Sequence, residues 1–147
     1  MKVALLSTGE EVLTGETIDT NSAWIAAALW DAGISVRAMM TVGDSLVDLE
    51  DALRLCADRA SVIIMTGGLG PTEDDLTSEV CAKWAGVSRF ESTEALGQIE
   101  ERYRARGRAL SPTNRKQALI PIGSTLLENR WGSAPGFAVS EGATTVY

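Results

Sequence analysis

Histidine is absent from this chain of 147 residues, and the absence removes whole classes of chemistry. Ser-His-Asp and Cys-His catalysis need an imidazole base, and zinc sites of the Cys/His type need an imidazole ligand. Proton transfer is left to carboxylates, lysine, tyrosine or a metal-bound water. A resident metal would have to be held by oxygen, which favours Mg²⁺ or Mn²⁺. Cysteine is scarce as well: Cys56 and Cys81 fall at apolar helical positions. They read as buried thiols of a reducing compartment and not as a disulfide. Positive charge is in short supply, with a formal net charge of −7, which argues against a nucleic-acid platform. No apolar run reaches the ~20 residues that a membrane-spanning helix needs. Met1-Lys2 leads straight into Val3-Ala4-Leu5-Leu6, too short for a signal peptide. The expected setting is the cytoplasm, away from membranes.

What is present is an ordinary globular composition, 45% hydrophobic and 22% charged, at a length that fits a single domain over 1–147. The stretch from Ser61 to Trp84 organises it. Ser61-Val62-Ile63-Ile64-Met65 is a short unbroken apolar run, expected to be a strand buried on both faces. Thr66-Gly67-Gly68-Leu69-Gly70-Pro71 breaks the chain. From Thr72 the pattern predicts a helix, with Glu73, Asp74 and Asp75 in its first turn and Leu76, Val80, Cys81 and Trp84 at helical spacing. Strand, glycine loop and helix start are how a parallel sheet builds a site at its carboxyl edge.

The remaining chain alternates in the same way. Residues 2–6 read as a first strand, followed by a polar loop with Gly9 and Gly15 near its ends. A helix over about Ala23–Ala32, apolar on most sides through Trp24, Ile25, Ala28, Leu29 and Trp30, is expected to be buried against a sheet. Ser35–Val42 gives a second strand. Ser45 and Asp48 approximate a capping box for a helix with the stripe Leu46, Leu49, Leu53, Cys56. Ser92 or Thr93 caps another helix to about Gly107, and Ser111-Pro112 opens a brief one to Leu119. Thr125–Glu128, Gly136–Ser140 and Ala143–Tyr147 are strand candidates, the last two joined by a hairpin turn at Glu141-Gly142. The last strand pattern breaks off at Tyr147, as in a fragment of a longer protein. This order argues a three-layer α/β/α sandwich with a mainly parallel sheet. Right-handed crossovers then put Thr8–Thr20 and Gly67–Asp75 across one crevice.

In that crevice the glycines can turn tightly and present N–H groups to an anion, although a plain tight turn explains them equally well. Acids beside a phosphate repel it unless a cation lies between, so Asp74 and Asp75 read either as a metal-bridged phosphate site or as helix-start acids stabilised by the macrodipole. Glu10, Glu11, Glu16, Asp19 and Asn21 offer further oxygens, or form a solvated loop. Ser7 and Ser61 have no histidine to activate them. Six basic residues fall between Arg102 and Lys116; they form a solvated helix end, or Arg115 or Lys116 folds back to a phosphate. Trp131 either stacks on a base or simply packs.

The run Thr66-Gly67-Gly68-Leu69-Gly70-Pro71-Thr72-Glu73-Asp74-Asp75-Leu76-Thr77 resembles the signature loop of the CinA (competence/damage-inducible) family, a branch of the molybdopterin-binding, MoaB/MogA-like fold. Ser7-Thr8-Gly9-Glu10-Glu11 with Asp19-Thr20-Asn21, Thr41-Val42-Gly43-Asp44, Asn114 with Gln117-Ala118, and Gly132–Phe137 fit the same family in order. The resemblance implies a phosphate-bearing ligand, a nucleotide or pterin, and a homo-oligomer. It implies metal-dependent hydrolysis of the ADP-ribose pyrophosphate or, in the molybdenum-cofactor manner, binding without hydrolysis. By the same resemblance Asp75 and Asp74 are catalytic, and Asp75, Asp74 and Glu10 hold a divalent ion (Mg, Mn or Co). The ligand would meet Ser7, Thr8, Gly9, Asp19, Asn21, Thr66, Gly67, Gly68, Gly70, Pro71 and Thr72. Replacing Asp75 by Asn is expected to leave the fold intact. The nicotinamide-mononucleotide deamidase domain of many such proteins has no counterpart in these residues, so its activity is not implied.

Overall fold

All six residues of strand β1 (Val3–Thr8) are buried, and the rest of the domain is laid around this strand. The computed structural model describes every residue from Met1 to Tyr147. After a four-residue helix α1 (Glu10–Leu13), helix α2 (Thr20–Asp31) crosses to strand β2 (Val36–Val42), which lies parallel to β1. Helix α3 (Leu46–Ala57) returns to strand β3 (Val62–Thr66), parallel to β1 on its other side. The two crossovers run in opposite directions about β1, so right-handed connections place α2 and α3 on opposite faces of the sheet.

Beyond β3 come helix α4 (Thr77–Trp84), strand β4 (Arg89–Glu91), helix α5 (Thr93–Ala105) and a 3-10 helix (Thr113–Ala118). Strands β5 (Leu119–Pro121), β6 (Thr125–Leu127), β7 (Gly136–Glu141) and β8 (Thr144–Val146) follow. The main sheet has six strands in the order β2-β1-β3-β8-β7-β6. It is parallel from β2 through β8 and antiparallel at β7. Strands β4 and β5 form a separate antiparallel pair that sequence patterning did not reveal, being three residues each.

The core lies on the α3 side. Leu49, Leu53 and Cys56 of α3 and Val80 and Cys81 of α4 pack on Ala4, Leu6, Ile63 and Met65. Burying each of the leucines contributes about 1.5–3 kcal/mol. Both cysteines are free and buried; burial pushes the Cys81 thiol up to about 12, so it stays protonated. A smaller cluster, Ala95 and Ile99 of α5 with Ala118, fixes the 3-10 helix to α5. No helix is long and apolar enough to cross a membrane.

Two expectations change on the other face. Helix α2 rests on β1 and β2, yet its only buried residue is Ser22, and Trp24 and Trp30 are 73% and 72% exposed. A straight helix on a sheet buries one stripe, here the half-buried Ile25, Ala26 and Leu29; the sequence is apolar over more of the helix than the sheet can cover. Likewise β3 is buried on one face only. Ile63 and Met65 are inside, whereas Val62, Ile64 and Thr66 are half-exposed because α2 sits over β1 and β2 and leaves β3 uncovered.

Candidate functional site

The carboxyl ends of β1 and β3 stand side by side, Ser7 in register with Thr66. The chain leaves β3 through Gly67, whose φ is 98°. A side chain here would run into the Thr8 carbonyl oxygen, so glycine is required for the two exits to come this close. The Gly67 carbonyl accepts from the Thr77 hydroxyl at 2.8 Å, and the Gly68 carbonyl from the Thr77 N–H at 3.2 Å. The N–H groups of Gly67, Gly68 and Leu69 have no acceptor within the chain. The Gly67 N–H lies on the β8 side of β3, next in the ladder after the Met65 N–H that bonds the Tyr147 carbonyl, whereas the Gly68 and Leu69 N–H groups stand at the carboxyl edge of the sheet, free to meet an anion.

Asp75 closes the loop. One carboxylate oxygen accepts from the Gly70 N–H at 2.8 Å. The other accepts from the Thr72 N–H at 2.8 Å and the Thr72 hydroxyl at 2.6 Å. Burial pushes this carboxyl's pKa up, but the hydrogen bonds from Thr72 and Gly70 and the Lys116 charge outweigh it and hold the group below the ordinary range. The acids are therefore not the first turn of a helix: α4 begins at Thr77, after Leu76, and Glu73 and Asp74 stand in an exposed turn. A side chain that bonds backbone two to five residues away offers the chain an alternative to helix. Asp75 takes that alternative. Asp75→Asn would replace one accepting oxygen of this closure by an amide nitrogen, so the substitution bears on the stability of the loop as well as on its chemistry.

The first loop is tied from the β2 side. Asp44 accepts from the Thr8 hydroxyl at 3.0 Å and the Glu10 N–H at 3.3 Å. Ser7 shares a hydroxyl contact of 2.8 Å with Thr41. Asp19 caps α2 by accepting from the Ser22 N–H at 2.9 Å. Burial pushes the Asp19 pKa up, and hydrogen bonds from Ser22, Ser7 and Asn21 more than offset it, so the group is held low.

Between these loops lies a cavity of about 160 Å³ that brings together Ser7, Thr8, Asp19, Asn21, Thr66 and Gly67, with Glu11 and Ile18 at its wall. Across the glycine loop a hollow of about 10 Å³ is lined by Gly68, Gly70, Asp75, Ser78, Lys116 and Gln117; it has room for roughly one water. Gly9, Pro71, Thr72 and Asp74 line neither space. Glu10 reaches toward Gly43 on the β2 side of β1, opposite to the glycine loop. Asp75, Asp74 and Glu10 thus do not come together, and no group of three acidic, histidine or cysteine side chains is gathered to hold a metal.

Sequence reasoning left the basic run open between solvent and site. The 3-10 helix resolves it: the Lys116 ammonium donates to the Thr72 carbonyl, while Arg115 grips Glu91 at 2.6 Å. Gln117 donates to the Leu69 carbonyl at 3.3 Å, and its own carbonyl oxygen is buried without a partner. Asp44 entered the sequence reading only as part of the Thr41-Val42-Gly43-Asp44 motif, and the structure shows it tying the first loop to the end of β2. Trp131 does not pack; it is 84% exposed.

Comparison with known proteins gives this geometry a family. The family model described as "Probable molybdopterin binding domain" matches residues 4–147. A protein CinA of unknown function from Thermoplasma acidophilum superposes with a TM-score of 0.90 at 35% identity, over 99% of this chain and 85% of that one. The chain belongs to the CinA-like branch of the molybdopterin-binding domain family. A CinA-like protein of Anaeromyxobacter sp. (strain Fw109-5) is 49% identical over 146 residues, 99% of this chain but 36% of the relative. One from Geobacter sulfurreducens is 43% identical over 97% of this chain and 34% of its own length. The chain therefore spans about a third of the length of these CinA-like relatives. The molybdopterin biosynthesis enzyme MoaB of Thermus thermophilus shares the fold at a TM-score of 0.60 and 22% identity, over 99% of this chain and 77% of that chain.

Proposed function

We propose that the domain binds the diphosphate of a nucleotide or pterin ligand on the glycine loop and hydrolyses the pyrophosphate bond of ADP-ribose or a similar nucleotide. The observation that carries the binding half is the pair of unpaired N–H groups at Gly68 and Leu69. Backbone donors without a partner in the chain are available to an anion, and phosphate oxygens are acceptors that match them. The adjoining cavity, with Asp19, Asn21 and Glu11 on its walls, takes the polar body of the ligand.

The chain offers no closed metal cage, but Mg²⁺ is commonly held by one or two carboxylates together with substrate phosphates. Asp75 keeps an uncommitted lone pair on the oxygen that Gly70 contacts, so this one carboxylate, with phosphate oxygens, would be what holds such an ion, while Asp74 stands in the exposed turn outside both spaces. When bound, the ion neutralises phosphate charge and lowers the pKa of a water. The protein's own part is to hold the loop donors in place through Asp75, which is ionised at neutral pH and acts as a fixed charge, not as a proton carrier. Water adds to one phosphorus and the bridging oxygen leaves with the other, giving AMP and ribose 5-phosphate.

A second reading, a binding module without hydrolysis, is favoured by one fact: the Asp75 carboxylate already accepts three hydrogen bonds. Calorimetric titration with ADP-ribose, ATP and a pterin, each with and without Mg²⁺ or Mn²⁺, tests both. Saturable heat with metal-dependent release of AMP is the expected result. Saturable heat without product leaves the module, and no heat with any ligand ends both readings.

A further inference from the structure

We propose that Lys116 supplies the cationic contact to the phosphate group of the ligand on the glycine loop, an assignment that rests on the binding reading above and narrows its charge recognition to one side chain. The loop's surroundings are acidic, with Glu73, Asp74 and Asp75 following it directly. A phosphate resting on the loop donors meets those carboxylates at short range, where like charges repel strongly. An opposing cation of the protein's own is therefore worth finding.

The neighbouring cations are already committed. Arg89, which lines the same narrow hollow, is paired with Glu79 at 2.8 Å. Arg115 is paired with Glu91. Arg102 and Arg106 spend their guanidinium donors on the carbonyls of Asn129, Arg130 and Trp131. Lys116 forms no salt bridge, and its ammonium touches only the Thr72 carbonyl. It lines the hollow with Gly68, Gly70 and Asp75, and its charge is felt at Asp75. An ammonium carries three protons, so two are left for phosphate oxygens with the Thr72 contact intact.

Its placement is built, not incidental. Gln117 donates to the Leu69 carbonyl, which fixes the 3-10 helix against the loop. Ala118 is buried against α5. The lysine is thus anchored at its base, with its ammonium held beside the loop by the Thr72 carbonyl. A ligand whose body occupies the larger cavity at Gly67 extends its phosphates over the loop toward this ammonium.

The test is titration of the 147-residue chain with inorganic diphosphate at several salt concentrations, for the wild type, Lys116→Met, Lys116→Gln, Lys116→Arg and Arg115→Met. Loss of one charge-assisted hydrogen bond weakens binding by about 10- to 100-fold, so Lys116→Met and Lys116→Gln are expected to fall in that range with a shallower salt dependence. Lys116→Gln keeps a donor for the Thr72 carbonyl and loses only the charge. Lys116→Arg restores most of the affinity, and Arg115→Met matches the wild type. Unchanged affinity in the Met and Gln variants overturns the proposal, while leaving the binding reading intact. So does weakened affinity with the wild-type salt dependence, which marks a merely structural contact. A wild type that ignores diphosphate overturns the binding reading and this assignment together.

Discussion

Gly67 decides at the scale of one residue whether the two loops meet. At a φ of 98° a side chain is strained, and the added carbon collides with backbone at Thr8, which cannot swing aside. Gly67→Ala is expected to lose about 2–5 kcal/mol, the sum of a positive-φ penalty and an overpacking penalty. Gly86 is the control. Its φ is 68° and an added carbon would meet nothing within 4 Å, so Gly86→Ala loses only about 1–2 kcal/mol. Urea midpoints of the two variants make the comparison; equal losses would show that the Thr8 contact is immaterial. Asp75 makes a second prediction of the same scale. Its folded pKa lies below the ordinary 3.8, so its contribution to stability is full above that value. The contribution fades as pH nears 3.8 and is gone once pH falls through the lower folded value. Asp75→Asn is expected to lose about 1–3 kcal/mol at neutral pH and to show a flatter acid limb. A variant with the wild type's slope in a pH series of unfolding curves would place the acid sensitivity elsewhere.

Elements were legible in the sequence where packing obeys one period, and illegible where a side chain or a neighbour overrules it. The stripe of α3 came out in place, its cap at Ser45 included, because Leu49, Leu53 and Cys56 all face one sheet. The start of α4 did not, because nothing in Thr72–Asp75 announces that Asp75 will bond backward to Gly70. The site followed suit. The glycine loop was legible as a turn that can present N–H groups, Asp19 entered as a ligand contact through the family resemblance, and the choice between Arg115 and Lys116 needed the docking of the 3-10 helix. Helix α2 was the clearest miss, since its composition promised burial and its tryptophans face solvent. Trp24→Lys is accordingly expected to change stability by no more than about 0.5 kcal/mol. Leu53→Ala, fully buried in α3, costs about 2–5 kcal/mol. Acrylamide should quench most of the wild-type tryptophan emission in the folded state. Shielded emission, or a large loss on Trp24→Lys, would mean that α2 is covered in solution.

Across the whole molecule, stability and function are sorted by position in the sheet. Strand β1 is interior, second from the β2 edge and flanked by β2 and β3, and none of its six residues reaches solvent appreciably. Strand β6 is a three-residue edge. Amide exchange in buried central strands requires global opening, while edges and loops open locally, so protection should fall from β1 and β3 outward to β6. The glycine loop breaks that gradient. It hangs on β3, one of the two middle strands, yet Gly68 and Leu69 have no acceptor for their N–H groups. They are expected to exchange among the fastest amides in the free protein, despite flanking slow ones. Saturation with inorganic diphosphate should slow those two selectively, since a phosphate oxygen would then occupy each donor. It should also raise overall stability by about 2.7 kcal/mol at a hundredfold excess over Kd. Hydrogen exchange resolved by residue reads both effects in one experiment. If the Gly68 and Leu69 amides stay fast while stability rises, the ligand sits elsewhere, and these unpaired donors are a feature of the turn and not of its chemistry.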